Sequence, residues 1–228
     1  LGWLAAVVVA TLGSYAYGRF VAPRLAFRDP VVRAAGTLGF ALVLLGFIGW
    51  MWGEIPRRLT LPTDRSYLDL FETRLTMTRV LAIALAVVIV AAISLLLART
   101  RLGLQMRSLA DNRDLSGLLG IRVVSVETIA WVISGVSAGI CGVLLANMVR
   151  LQGLQLTFLV IPAIAAAILG RLSSLTVTAI AGLVIGVIEA CLSLFPAVAP
   201  YRTATPFVVA LIAVAVLSTT AKLKMEQR

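Results

Sequence analysis

The chain reads as blocks of uninterrupted apolar residues separated by short charged connectors. Seven blocks stand out, at about 2–18, 35–52, 79–98, 126–148, 155–170, 174–195 and 204–221. At about 1.5 Å of rise per residue, the longer ones match a hydrocarbon layer of about 30 Å. The period of two that marks barrel strands is absent from them. The pattern predicts an all-α, polytopic membrane protein with about seven membrane segments, forming one domain over residues 1–228. The fifth block, "LTFLVIPAIAAAIL", is short and interrupted by Pro162. It reads as a tilted short span or as a broken helix lining a cavity.

The connectors orient the chain. With residue 1 facing outward, the inner connectors hold Arg19, Arg24, Arg28, Arg33, the five arginines of 99–122, Arg171, Lys222, Lys224 and Arg228. The outer side is left with Arg57, Arg58, Arg65, Arg74, Arg79, Arg150 and Arg202. The excess of basic residues on the first side places it in the cytoplasm, together with the C-terminus. The connector 53–78 is long for a hairpin. It reads as an ordinary solvated loop or as one holding a short interfacial helix around Tyr67–Arg74, with Leu68, Leu70 and Phe71 facing lipid or protein. Trp3, Trp50, Trp52 and Trp131 fall near expected span ends, where indole rings anchor at the interface.

The most highly charged inner stretch is "RTRLGLQMRSLADNRDLSGLLGI", residues 99–121. Asp111 is expected to cap a short helix, with Asp114 three residues later in capping-box register and Gly120 as the left-handed stop. Leu115, Leu118 and Leu119 fall at i, i+3 and i+4 and form one apolar stripe, with Arg113 and Asp114 away from it. Such a helix suits a groove on another protein or the membrane surface, and the local pattern leaves both open.

Composition narrows the chemistry. Hydrophobic residues make up 61% of the 228, charged residues 13%, and mean hydropathy is +1.03. Soluble domains carry about a quarter charged residues. The net charge of +10 lies in connectors rather than on one solvated face, which argues against nucleic acid. There is no histidine, the commonest general base and metal ligand. Cys141 and Cys191 sit inside apolar runs without CxxC spacing and read as small core residues. The only lysines, Lys222 and Lys224, lie in the tail, and no GxxxxGK[ST] loop occurs, so ATP hydrolysis by the usual phosphate-binding loop is excluded. No nucleophile, base and orienter set is visible. The chain opens inside an apolar run, so no signal peptide is read, and the missing initiator methionine suggests upstream residues outside this sequence.

Two small-residue pairs, Gly135 with Gly139 and Gly182 with Gly186, permit close helix packing in lipid. Glu189 reads as the one acidic residue inside a span, at a cost of roughly 2.5–3.5 kcal/mol at mid-bilayer. It shares a face with Gly182 and Gly186 and needs a partner, Arg202 or a polar group on a second chain. These residues and Gly170 are candidates for helix packing or for the translocation path.

Taken in order, several motifs resemble one family. "LGLQMRSLADNRDLSGLLGIRV" resembles the cytoplasmic loop of permease subunits in ABC importers of the branched-chain amino acid type. There, an R-x-x-A-x-(D/E)…L-G-I stretch docks on the ATP-binding subunit as a coupling helix. Arg107, Ala110, Asp111, Leu118, Leu119, Gly120 and Ile121 would correspond to it, while Asn112 stands where an acidic residue is common. "GRFVAPRLAFRDPVVRAAGTLGFALVLLG" and "ILGRLSSLTVTAIAGLVIGVIEA" resemble the family's segments before and after. Arg171, Ser173, Thr176 and Val177 depart from it, standing where Gly, Gly, Pro and Gly are usual. The resemblance implies a permease subunit for branched-chain amino acids or a related small polar solute, in the bacterial inner membrane. It implies a second permease subunit, two cytoplasmic ATP-binding subunits and an extracytoplasmic solute-binding protein as partners. ATP and Mg would be held by the ATPase subunits, with no cofactor on this chain, and residues 99–125 would be the coupling loop. A rival reading, a self-sufficient secondary transporter or channel, predicts inverted repeats and several ionisable residues within spans. Neither is evident here.

Overall fold

A computed structural model describes residues 2–26, 28–53, 67–70, 73–149, 157–196, 201 and 204–212. Their contacts fall into two compact units, Leu1–Gly153 and Leu154–Arg228.

In the first unit, α1 (Gly2–Ala16) runs through a π-turn (Tyr17–Val21) into α2 (Ala22–Leu25), a continuous helical span Gly2–Leu25. The expected block ended at residue 18 because Arg19 and Arg24 break the apolar run, but the backbone stays helical past them. Pro23 explains the π-turn. Its ring nitrogen cannot donate to Arg19 O, four residues back. The ladder slips instead, so Ala22 N–H donates to Tyr17 O, five residues back. Next come α3 (Pro30–Trp52), α4 (Met77–Arg99), α5 (Arg101–Asp111), α6 (Arg113–Leu118) and α7 (Val123–Met148).

The helices α1 and α7 pack antiparallel. A Cβ on Gly139 would stand 2.8 Å from Val7 Cα, and one on Gly135 would stand 2.6 Å from Ser14 Cβ. Bare glycine faces let the two backbones touch, which supplies dispersion contact where apolar burial gives no drive. Tyr17 packs between Trp131 and Phe40 with its ring tilted to both, centroids 4.4 and 4.9 Å away. Trp131 is therefore a packing residue inside the span rather than an interface anchor, whereas Trp50 is exposed. An apolar groove of about 780 Å³ lies between α1 and α3.

Between α3 and α4 the backbone forms a two-stranded antiparallel hairpin, β1 (Tyr67–Leu70) with β2 (Thr73–Thr76), in place of the interfacial helix considered for 67–74. The physical reason is spacing. Leu68 and Leu70 are two apart, a strand period, and Thr73 and Thr76 are β-branched. The register sets Asp69 opposite Arg74. Phe71 lies outside the described residues.

In the second unit, α8 (Val160–Leu169) and α9 (Leu175–Leu192) pack through Ala165, Ala166, Ala181 and Ile185, with Val209 and Ala210 of a helical stretch over 205–212 against them. The turn between α8 and α9 is tight. Arg171 and Leu172 take φ of 54° and 55°, left-handed values that cost a non-glycine residue about 1–2 kcal/mol each. Arg171→Gly is expected to stabilise the purified protein by about 0.5–1 kcal/mol after glycine's greater unfolded-state freedom is deducted, read as a raised thermal unfolding midpoint. A lowered midpoint would contradict the strain assigned to this turn.

Among the described residues, five helices are long and apolar enough to span a bilayer: Gly2–Leu25, Val31–Trp52, Met77–Arg99, Val123–Met148 and Leu175–Leu192. The fifth expected block is the shorter helix Val160–Leu169. The second half of the seventh, beyond residue 212, lies outside the described residues. Large apolar side chains are exposed along all these helices, as expected of a multi-pass protein whose solvent there is lipid.

Candidate functional site

The candidate site is the α5–α6 corner between α4 and α7. It begins at Thr100, whose extended backbone ends α4 and caps α5. Thr100 Oγ1 donates to Leu96 O at 2.6 Å and accepts from Gly103 N–H at 3.0 Å. Gly103 is buried against the end of α4, where a Cβ would stand 2.5 Å from Leu97 Cα and 2.6 Å from Leu96 O. Only glycine fits there, and the chain turns sharply at no steric cost.

At the other end of α5, Asp111 is the last helical residue. The cap of α6 is Asn112, not Asp111: at φ −150° and ψ 108° it breaks the helix, and its Oδ1 accepts from Leu115 N–H at 3.0 Å. Both residues are good caps. The choice falls to the one where the backbone leaves the helix. Asp114 then sits in the first turn, favourable beside the helix dipole, rather than in the capping-box position. Gly120, at φ 83°, supplies the left-handed stop.

One side of α6 is fixed and the other is bare. Ser116 is 1% exposed, and its Oγ lies 2.8 Å from Ser108 Oγ, which ties α6 to α5. Arg113 reaches Glu127 on α7 with both terminal nitrogens, Nη1–Oε1 at 2.5 Å and Nη2–Oε2 at 3.0 Å. Such a two-pronged pair fixes orientation as well as distance. Opposite, Leu115, Leu118 and Leu119 are 53%, 85% and 72% exposed. Ala110 and Asp111 are exposed, Arg107 is exposed on α5, and Ile121 is partly buried.

Glu127 lies in the helix Val123–Met148, so Glu189 is not the one acidic residue within a span. The pattern of residue types gave Glu127 no prominence, because its partner is fourteen positions away on another helix. The signal available was a carboxylate at the second position of the block 126–148.

The other two candidates of the first unit lie away from this corner. Gly135 and Gly139 form the α1 contact described above. In the second unit, a Cβ on Gly170 would run into Thr178 Oγ1 and stand 3.0 Å from Ser174 O. Gly182 faces Ala166 across 3.8 Å, while Gly186 has open space beside it among the described residues. Glu189 is partly buried, its carboxylate has no hydrogen-bond or ion-pair partner among the described residues, and Arg202 lies outside them. Cys141 and Cys191 are exposed rather than core residues, since small side chains on a lipid-facing surface need no burial.

A family model described as "Branched-chain amino acid transport system / permease component" matches residues 1–217. The chain belongs to that family. This permease chain is 30% identical over 163 residues to the "Probable branched-chain amino acid transport permease protein LivH" of Methanocaldococcus jannaschii, covering 70% of the chain and 51% of that protein. It is 24% identical over 206 residues to the "High-affinity branched-chain amino acid transport system permease protein LivH" of Escherichia coli K12, covering 85% of the chain and 65% of that protein. The chain thus spans about half to two thirds of the length of these curated relatives. No solved structure matches it.

Proposed function

We propose that this chain is the membrane subunit of an ATP-driven importer for branched-chain amino acids or a related small solute, and that α6 is where a separate ATPase takes hold of it. The observation that carries this is the two-sidedness of α6. Three leucines of one stripe are exposed on a helix whose opposite side is held by Ser116 and by Arg113–Glu127. An anchored helix with a bare apolar stripe fits a groove on a partner and passes movement inward without tearing loose. The basic connectors favour a cytoplasmic location for it and for the C-terminus. In this reading, closure of two ATP-binding subunits on ATP and Mg moves α6 and opens the path alternately to each side. A second permease subunit completes the path, and a solute-binding protein delivers to the outer loops. The names of the relatives favour branched-chain amino acids over other solutes.

The test is reconstitution. The full-length permease, purified from its own host with whatever assembles on it, is expected to bring an ATPase and to take up labelled leucine into liposomes only with ATP. Uptake driven by an ion gradient in a preparation free of ATPase would overturn the proposal in favour of a secondary transporter.

A further inference from the structure

One turn of α7 touches both the corner helix and the first span. Glu127 holds Arg113 of α6 with both carboxylate oxygens. The next residue, Thr128, is buried, and its Oγ1 lies 2.7 Å from Val124 O and 3.3 Å from Gly18 O. Gly18 belongs to the π-turn, and its carbonyl is a special case. In an α-helix it would accept from Ala22 N–H, but that donor is engaged with Tyr17 O. One residue further on, Pro23 has no N–H to offer. The Thr128 hydroxyl, shared between its own helix and Gly18, is the donor that meets this carbonyl. A buried carbonyl left without one would cost about 1–3 kcal/mol. Three residues along, Trp131 closes the contact, because a Cβ on Gly18 would stand 2.8 Å from Trp131 Cβ.

We infer that Glu127 and Thr128 are positioning residues that carry displacement of α6 into the spans, through the Arg113–Glu127 pair into α7 and through Thr128 into the π-turn of the first span. This rests on the reading of α6 as the ATPase's handle. The π-turn is the element with two arrangements: Ala22 N–H can serve Tyr17 O or Gly18 O, and in the second case Thr128 is released. Movement of α7 relative to the first span therefore biases which register the turn takes. The pair is suited to transmission because it is partly shielded from water and grips at two points, so it resists rotation as well as stretch.

The experiment measures leucine uptake and ATP hydrolysis together in liposomes carrying the assembled transporter. Glu127→Gln is expected to keep its ATPase bound and hydrolysing while leucine moved per ATP falls at least about fivefold, the scale of an ordinary coupling free energy. The swap of Arg113→Glu with Glu127→Arg is expected to recover most of that loss, and Thr128→Val to lower the ratio without releasing the ATPase. A wild-type ratio in Glu127→Gln, or a swap no better than the single change, overturns this inference alone. If Glu127→Gln fails to assemble, the swap decides by the same measure. Wild-type transporter that brings no ATPase overturns the importer reading and this inference with it.

Discussion

Leu118→Glu is expected to leave the permease folded and inserted yet strip it of its ATPase. The side chain is 85% exposed, so the chain's own packing gives up little when it changes. Docked in a groove, the same leucine would contribute about 1.5–3 kcal/mol of apolar burial. A carboxylate in its place loses that contribution and must also be desolvated, which costs a further few kcal/mol or prevents docking outright. Together the two effects weaken the complex by at least about a hundredfold, since each 1.4 kcal/mol is tenfold. Pull-down of the ATPase with the purified variant, beside a size-exclusion profile for folding, measures both halves. Full retention of the ATPase would remove the leucine stripe from the interface.

Gly103→Val is expected to act in the opposite way, by destroying the corner before any partner is met. The obstacles to a Cβ here are backbone atoms, Leu97 Cα at 2.5 Å and Leu96 O at 2.6 Å, so no rotamer change relieves them. The helix would have to back away from α4, and the N-cap bond from Gly103 N–H to Thr100 Oγ1 would break with it. Overpacking costs about 1–3 kcal/mol and loss of a cap about 1 kcal/mol, which approaches the whole stability of a marginal fold. The expected result is a sharp drop in monodisperse protein. Gly186→Ala, at a glycine with open space beside it, is the matched control and is expected to behave as wild type. Equal yields for the two variants would contradict the tight corner.

The spans and the corner helix were legible in the sequence for different reasons. Spans are set by the thickness of a bilayer, so counting apolar residues finds them. Their ends were not legible at Arg19 and Arg24, because side-chain charge ends a run while backbone helicity continues. The leucine stripe followed from helical spacing alone. Its cap was misplaced by one residue because Asp111 and Asn112 are chemically interchangeable there, and only the backbone break at Asn112 separates them. Glu127 and Gly103 were missed for a common reason. Each owes its role to an atom on another helix, Arg113 or Leu97, and local pattern carries no information about such approach. At 67–76 the sequence offers a solvated loop or a short interfacial helix, and the two-residue spacing of Leu68 and Leu70 is the signal for the hairpin found there.

The most direct measurement places a photo-crosslinking amino acid at position 118 of the permease in its native membrane. Irradiation is expected to join it to a cytoplasmic ATP-binding subunit, in an adduct whose yield changes when ATP is added. Adducts with lipid alone, or labelling of position 118 by an impermeant reagent from outside the cell, would show that α6 is not the point where the ATPase takes hold.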